Sequence, residues 1–295
     1  MDIIDKLLYG PMIKLSTIDK LLHGSIDMHC HHGPDLLMEM RVDALQAARQ
    51  AQEKGMRAIV LKSHFYPTAS LAYVVSQIVP DITVFGSICL DFEVGGLNAY
   101  ALEASAKLGA KVVWMPTHSS AYDKEKLGLT EPGISIFDKE GKLLPAVGDI
   151  LDIVKDYQMV LATGHISTPE AFALVDEARS KGISKIVATH PLLEVVGATL
   201  SLEEQQRMAE KGAFMEYCIA DTMPLIGLNP MRIVEAVRAV GAERCIMSTD
   251  LGLPFFPAPA EGMIVGIATM LRCGLTEEEM ELLVKINPAK LLDLD

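Results

Sequence analysis

The chain has 295 residues, half of them apolar, enough to bury one large core, and no shift in composition marks a linker, so a single domain over 1–295 is expected. Its 26 basic and 39 acidic residues give a net charge of −13, and without a basic run or an aromatic-basic ladder this argues against nucleic acid as a partner. Five cysteines without a CxxC pair read as small core residues of a reducing compartment, and with no signal-type apolar start or bilayer-length uncharged run the expected place is the cytoplasm, away from membranes.

Residues 1–24 open with a near-duplication, Ile4-Asp5-Lys6-Leu7-Leu8-Tyr9-Gly10 against Ile18-Asp19-Lys20-Leu21-Leu22-His23-Gly24. It reads as a helical extension of two short amphipathic turns that plug a barrel floor or mediate a homo-oligomer. Beyond it, period-2 and period-3.6 segments alternate, the pattern expected when each parallel strand needs a crossover helix. Strands are predicted near 25–30, 57–62, 82–89, 110–116, 158–163, 184–189, 212–217 and 244–249. Helices are predicted over 42–49, 99–108, 169–180, 202–211 and 230–240, with glycines such as Gly55, Gly109, Gly182 and Gly241 placed to stop them in the left-handed conformation. The repeat predicts an α/β fold, an eight-stranded parallel (β/α)8 TIM barrel. Between the fourth and fifth strands, 133–144 alternates around a turn-prone tip, which predicts a β-hairpin over the rim that acts as a lid.

The apolar runs end in metal-competent residues. Asp27-Met28-His29-Cys30-His31-His32-Gly33 closes the first, and because side chains i and i+2 share a strand face, His29 and His31 point together while Cys30 points away. Ala58-Ile59-Val60-Leu61 precedes Lys62 and His64, Met159-Val160-Leu161-Ala162 precedes His165, Lys185-Ile186-Val187-Ala188 precedes His190, and Cys245-Ile246-Met247 precedes Asp250. In a closed parallel barrel these ends gather at one rim, where chemistry sits. Of the eight histidines, chance would place about one in such windows, yet His29, His31, His32, His64, His165 and His190 all fall there. Imidazoles clustered with a carboxylate are the usual ligands of zinc and similar cations, so a divalent metal is expected, zinc first. Neutral imidazoles leave the cation much of its charge, enough to lower the pKa of bound water from about 15.7 toward 7 and provide hydroxide at neutral pH.

This constellation resembles the amidohydrolase superfamily of metal-dependent barrel hydrolases, and the segments LKSH, VVWMPT, ATGH, THP and STDLG look like those of an uncharacterised branch. The superfamily's pattern is H-x-H at strand 1, His at strands 5 and 6 and Asp at strand 8. It falls on His29 and His31, His165, His190 and Asp250 in the right order, and the resemblance covers 25–295. The ending Ile286-Asn287-Pro288-Ala289-Lys290-Leu291-Leu292 is similar to that superfamily's closing helix, though locally it is an N-cap Asn with Pro at N1. The resemblance implies a metal held by His29, His31, His165 and Asp250. His190 is then a second-metal ligand or the residue that polarises the substrate. It further implies that Asp250 touches the metal, accepts the proton of the attacking water and later delivers it to the leaving group.

The resemblance weakens at strand 4. Binuclear members bridge their metals there with a carboxylated Lys or a Glu, and Val112-Val113-Trp114-Met115-Pro116-Thr117-His118 offers neither, so one ion is preferred and a second is left open. Lys62 stays open between carboxylation, a cation for a substrate carboxylate or phosphate, and an ordinary ion-paired lysine. His64 shares its face if the strand persists, His118 reads as a loop residue, Trp114 as core first and pocket wall second, and Glu216 as a reserve ligand. The expected function is metal-dependent hydrolysis of a C–N or C–O bond, in an amide, cyclic amide or lactone, of a small molecule, with Asp250, His190 and Lys62 as catalytic groups. A nonoxidative decarboxylase, a phosphoesterase of the histidinol-phosphatase kind and a non-catalytic metal-binding barrel are the alternatives.

Overall fold

The computed structural model describes residues 13–294. Eight strands run parallel in sequence order: β1 Ile26–His31, β2 Ala58–Lys62, β3 Thr83–Cys89, β4 Ala110–Trp114, β5 Val160–Ala162, β6 Ile186–Ala188, β7 Phe214–Cys218 and β8 Cys245–Ser248. Each lies where the apolar runs predicted it, within a few residues. The strands are buried on both faces, one against helices and one against the barrel interior, which is why they read as continuous apolar runs rather than as half-polar alternations. The barrel closes just past β8, where Asp250 N donates to His29 O at 2.8 Å and His31 N donates to Leu251 O at 2.9 Å.

The predicted helices are present at Ala44–Glu53, Ala99–Lys107, Thr168–Ser180, Leu202–Glu210 and Pro230–Val240, joined by Ala69–Ile78, Pro145–Asp156 and Pro259–Cys273. Local capping fixes several of their starts. Asp43 with Gln46, Ser167 with Glu170 and Ser201 with Glu204 form capping boxes, each satisfying backbone donors at both ends of the first turn.

Three expectations are corrected. Ile18–Gly24, the second copy of the near-duplication, lies partly in the helix Leu15–Leu22, which packs on Pro259–Cys273 and Glu277–Glu281 outside the barrel, with Lys20 paired to Glu277 at 3.2 Å. It does not plug the floor, and the first copy lies outside the described residues. The floor is filled by Ala289, Leu291 and Leu292 of the terminal helix, which join the interior cluster of Ile26, Ala58, Val112, Val160, Val187 and Phe214. Asn287 is not an N-cap, because a π-helical turn, Leu282–Ile286, leads straight into Asn287–Leu292. Its side chain instead donates to Ala242 O at 2.8 Å and Cys245 O at 2.7 Å, fastening the plug to the start of β8. The predicted hairpin is present only as a short turn, with Leu144 N donating to Ile136 O and Asp138 N to Lys142 O. It is no lid: Glu170 accepts from Ser135 Oγ and Ile136 N, which holds the turn against the helix after β5 and away from the cavity.

Candidate metal centre and its cavity

The pairing of β1 with β2 slips between Asp27 and Cys30. Ile26 and Met28 therefore fill the barrel interior, Cys30 faces the surrounding helices, and His29 and His31 still turn toward the rim. Both imidazoles reach Asp250: His29 Nε2 and His31 Nε2 each lie 3.0 Å from its Oδ1. Asp250 has φ +52, a left-handed conformation that costs a non-glycine residue about 1–3 kcal/mol, and His190 has φ +27. Such residues persist where the surrounding structure over-determines them, as the two closing hydrogen bonds beside Asp250 do here.

Across the rim, His165 Nε2 and His190 Nε2 face each other at 3.1 Å. Asp123 accepts from His165 Nδ1 at 2.6 Å and from Gly197 N at 2.6 Å, so the His165 proton sits on Nδ1 and its lone pair on Nε2. Nδ1 of His190 is buried without a partner. Burial drives the His190 pKa well below its ordinary value, which keeps the ring neutral. The two halves form one cluster, since the His29 and His190 ring centroids are 6.2 Å apart.

Beneath the cluster lie Lys62 and Trp114, the inward-facing ends of β2 and β4, and Glu216 from the middle of β7. Lys62 is 1% exposed, its Nζ 2.8 Å from His29 Nε2 and 5.2 Å from the Trp114 ring centre. No carboxylate among the described residues pairs with it, so the reading of an ordinary ion-paired lysine is set aside. Glu216, taken as a reserve ligand, is instead the acceptor for His29 Nδ1 at 3.3 Å and orients that ring from below. Trp114 is a core residue directly under His29, at 5.4 Å between ring centroids.

Beside this centre stands a second polar group. His64 Nδ1 lies 2.6 Å from Thr117 Oγ1, and the Thr117 hydroxyl donates to Asp91. Asp91 also accepts from Thr117 N at 2.8 Å and Ser119 N at 2.9 Å. Because Thr117 donates its only proton to Asp91, it accepts from His64, whose Nε2 is left as a lone pair. His118, in the turn after β4 as expected, borders the cavity with His64 and pairs with Asp91 at 3.4 Å and Glu93 at 3.3 Å. Burial opposes its charge, but the Asp91 carboxylate outweighs burial and raises its pKa. His32 is not part of the site: its Nδ1 turns to Gly33 O and its ring lies against Tyr66.

Three carboxylates that position these rings escaped the sequence reading. Asp91 follows Ser87-Ile88-Cys89-Leu90 and obeys the same grammar of apolar run and polar end, so a signal existed. Asp27, near the start of β1, accepts from His29 N, Thr249 N and Thr249 Oγ1 and ties β1 to the turn that carries Asp250. Asp123 lies nine residues past the end of β4 in a short helix, Ala121–Lys126, and nothing in its spacing points to His165.

The donor set fits a divalent cation. Glu216 and Lys62 both favour a His29 ring with its proton on Nδ1 and its lone pair on Nε2, yet that lone pair faces the Asp250 oxygen, acceptor against acceptor. In a metal-free site a proton relieves the contact with Asp250: burial and Lys62 oppose a charge on His29, but the carboxylates of Asp250 and Glu216 outweigh them and lift the pKa to about 9. A cation held by the same atoms relieves it equally. His31, lowered to about 4 by burial, and His190 are neutral, the form in which imidazole binds metals. The group of His29, Asp250 and Cys218 has ligand atoms within 4.8 Å of one another, and so does that of His64, Cys89 and Asp91. In the second, Asp91 is already engaged by three donors. His31, Lys62, His64, His165, His190 and Asp250 open together onto a cavity of about 280 Å³.

The fold is an eight-stranded parallel (β/α)8 barrel with a cluster of histidines and carboxylates at one rim. Among solved structures the chain is similar to a probable dipeptidase, PvdM, from Pseudomonas aeruginosa, with a TM-score of 0.66 at 12% identity over 94% of this chain and 97% of that one. It is also similar to a putative 2-pyrone-4,6-dicarboxylic acid hydrolase from Pseudomonas putida, with a TM-score of 0.59, 16% identity and coverage of 92% and 98%. A 2,6-dihydroxybenzoate decarboxylase from Rhizobium matches with a TM-score of 0.59, 11% identity and coverage of 92% and 99%. By name these neighbours are enzymes, and at such identities the likeness is one of fold. Residues 24–216 match the model of a family of unknown function, DUF6282, and the chain belongs to that family. No curated protein matches the chain.

Proposed function

We propose that the protein is a metal-dependent hydrolase that cleaves a C–N or C–O bond of a small molecule, an amide, cyclic amide or lactone. The observation that carries this reading is the convergence of His31, His165, His190 and Asp250 on one cavity at the C-terminal ends of the strands, where barrel enzymes place their chemistry, with His29 buried against Asp250 just below it. His29, His31, His165 and Asp250 would hold the ion, with His190 at its side, and a set of imidazoles with one carboxylate favours zinc. When bound, such a cation supplies Lewis acidity and lowers the pKa of water.

The chain's own residues supply the rest. Burial alone would raise the Asp250 pKa, but His29 and His31 hold it well below the ordinary range, so the group is an anion able to take a proton from attacking water. His190, neutral, polarises the substrate. Lys62, buried and in no ion pair with a carboxylate among the described residues, holds a substrate oxygen. The buried, unpaired Cys30, Cys89, Cys218 and Cys245 support a cytoplasmic setting. No helix among the described residues is long and apolar enough to cross a membrane.

Lys62 also favours a second reading, nonoxidative decarboxylation, because a substrate carboxylate would complete its ion pair. Metal analysis with a substrate panel decides between them. Purified protein is expected to carry a stoichiometric divalent ion, lost in His29→Ala and His31→Ala, and to release acid from amides or lactones. Release of carbon dioxide from aromatic acids would select the second reading, and release of phosphate from esters would select a phosphoesterase. A full metal equivalent in both variants would overturn the assigned ligands.

A further inference from the structure

The floor and the walls of the cavity differ in chemistry. The floor is the histidine cluster with Lys62 and Asp250, whereas the walls come from loops after four strands: Leu37 and Met38 after β1, Val195 after β6, Ile226 after β7 and Phe256 after β8. Among the described residues no arginine borders the cavity, Lys62 on the floor is its one lysine, His118 at its side is paired with Asp91 and Glu93, and Asp35 is the acidic group on the walls. The mouth is apolar too. Leu37 is 73% exposed and Val195 52%, and Phe255 stands beside Phe256 with ring centroids 4.9 Å apart. Large apolar side chains from separate loops, bared to water around one opening, mark a binding surface rather than chance exposure.

We propose that the substrate is an apolar-bodied monoacyl compound, an ester, lactone or amide of an aliphatic or aromatic acid. Its hydrocarbon lies between the four loops, its single polar head rests on the floor, and a second anionic group at the far end is rejected. The inference rests on the hydrolytic reading above and names the substrate class of that site. Its physical basis is that a second carboxylate among these walls would lose its water, find there only His118, which Asp91 and Glu93 already pair, and face Asp35. An alkyl chain of the same length would be released from water at no such cost.

The test is calorimetric binding of product acids to the protein as purified with its metal. Butyrate, hexanoate and adipate separate the terms, since hexanoate adds two methylenes to butyrate and adipate exchanges the terminal methyl of hexanoate for a carboxylate. Burial of each methylene is worth about fourfold in affinity, so hexanoate should bind about fifteenfold more tightly than butyrate. Adipate should bind at least about tenfold more weakly than hexanoate. Leu37→Lys, at an exposed position of the mouth, should weaken hexanoate and tighten adipate, with metal content and melting temperature as the check that it folds. Equal or tighter binding of adipate by the unmodified protein, or no gain from butyrate to hexanoate, overturns the inference, as does failure of all three acids to bind. Binding is read without turnover, so the two readings fail separately. The expected order of affinities without hydrolysis of any monoacyl substrate would sink the hydrolase and leave the apolar site standing. Preferential hydrolysis of dicarboxylate esters would do the reverse.

Discussion

On the hydrolytic reading Asp250 has two roles that a single substitution can separate. Asn at this position can still offer an oxygen to a cation but cannot take a proton, and general acid-base assistance is worth about 10²–10⁴-fold in rate. Asp250→Asn is therefore expected to fold, to keep much of its metal, and to lose turnover by at least that order, which steady-state kinetics with metal analysis would read. A rate near that of the unmodified protein would move the base elsewhere, first to His190. Asp27, two residues before the first histidine of the pair, offers a test by pH. Burial raises its pKa to about 6 in spite of the bonds from Thr249 and His29. The folded state thus holds a proton that the unfolded chain releases near its ordinary value of 3.8, so this group's contribution to stability falls as pH rises from about 4 to about 6. Over that window the loss is roughly 3 kcal/mol at most. Asp27→Asn removes the titration, and its stability relative to the parent should improve by up to that amount between pH 4 and pH 7 in urea melts. A gap that does not change with pH would contradict the assignment.

Among the elements, the loop after β5 is pressed close against its neighbour. Gly164 has φ +60, and a Cβ there would lie 2.2 Å from Met115 O at the end of β4. That close approach lets His165 N donate to Pro116 O at 2.9 Å, which sets the height of the His165 ring above the barrel. Gly164→Ala adds left-handed strain to a backbone collision and should cost about 2 kcal/mol or more, lowering the melting temperature by about 4–8 °C in a chain of this size. It should also weaken the metal, because His165 moves with the loop. A melting temperature and metal content both unchanged would show that the two strand ends can spread.

The whole molecule separates what closes the barrel from what works in it. The plug of Ala289, Leu291 and Leu292 sits among interior residues at one end, and the cavity opens at the other. Leu292, 1% exposed, has no room to be replaced by solvent, so Leu292→Ala should cost about 2–5 kcal/mol of stability in urea unfolding. Metal content per folded molecule should be unchanged, since no plug residue borders the cavity. Loss of metal in a variant that still folds would show that the plug and the site are mechanically coupled.

Periodicity and residue type were enough to place every strand, because a parallel strand covered on both faces must be written as a continuous apolar run and its functional end must break that run with a polar residue. They marked the strand ends that carry His29, His31, His32, Lys62, His64, His165, His190 and Asp250, from which the resemblance singled out His29, His31, His165, His190 and Asp250; the structure brings those five together. Glu216 was ambiguous, since a period-2 reading of Phe214-Met215-Glu216-Tyr217-Cys218 does not say which face is inside or how high a side chain stands. The pairing of Asp123 with His165, of Asp91 with Thr117 and His64, and of Asp27 with Thr249 joins residues from 26 to 222 positions apart. No local pattern encodes such pairs, because their geometry arises only when the barrel closes and brings separate strand ends to one rim. The apolar walls were hidden for the same reason: each loop contributes one or two side chains that look like scattered surface leucines and valines, and the closed barrel alone makes them face one another.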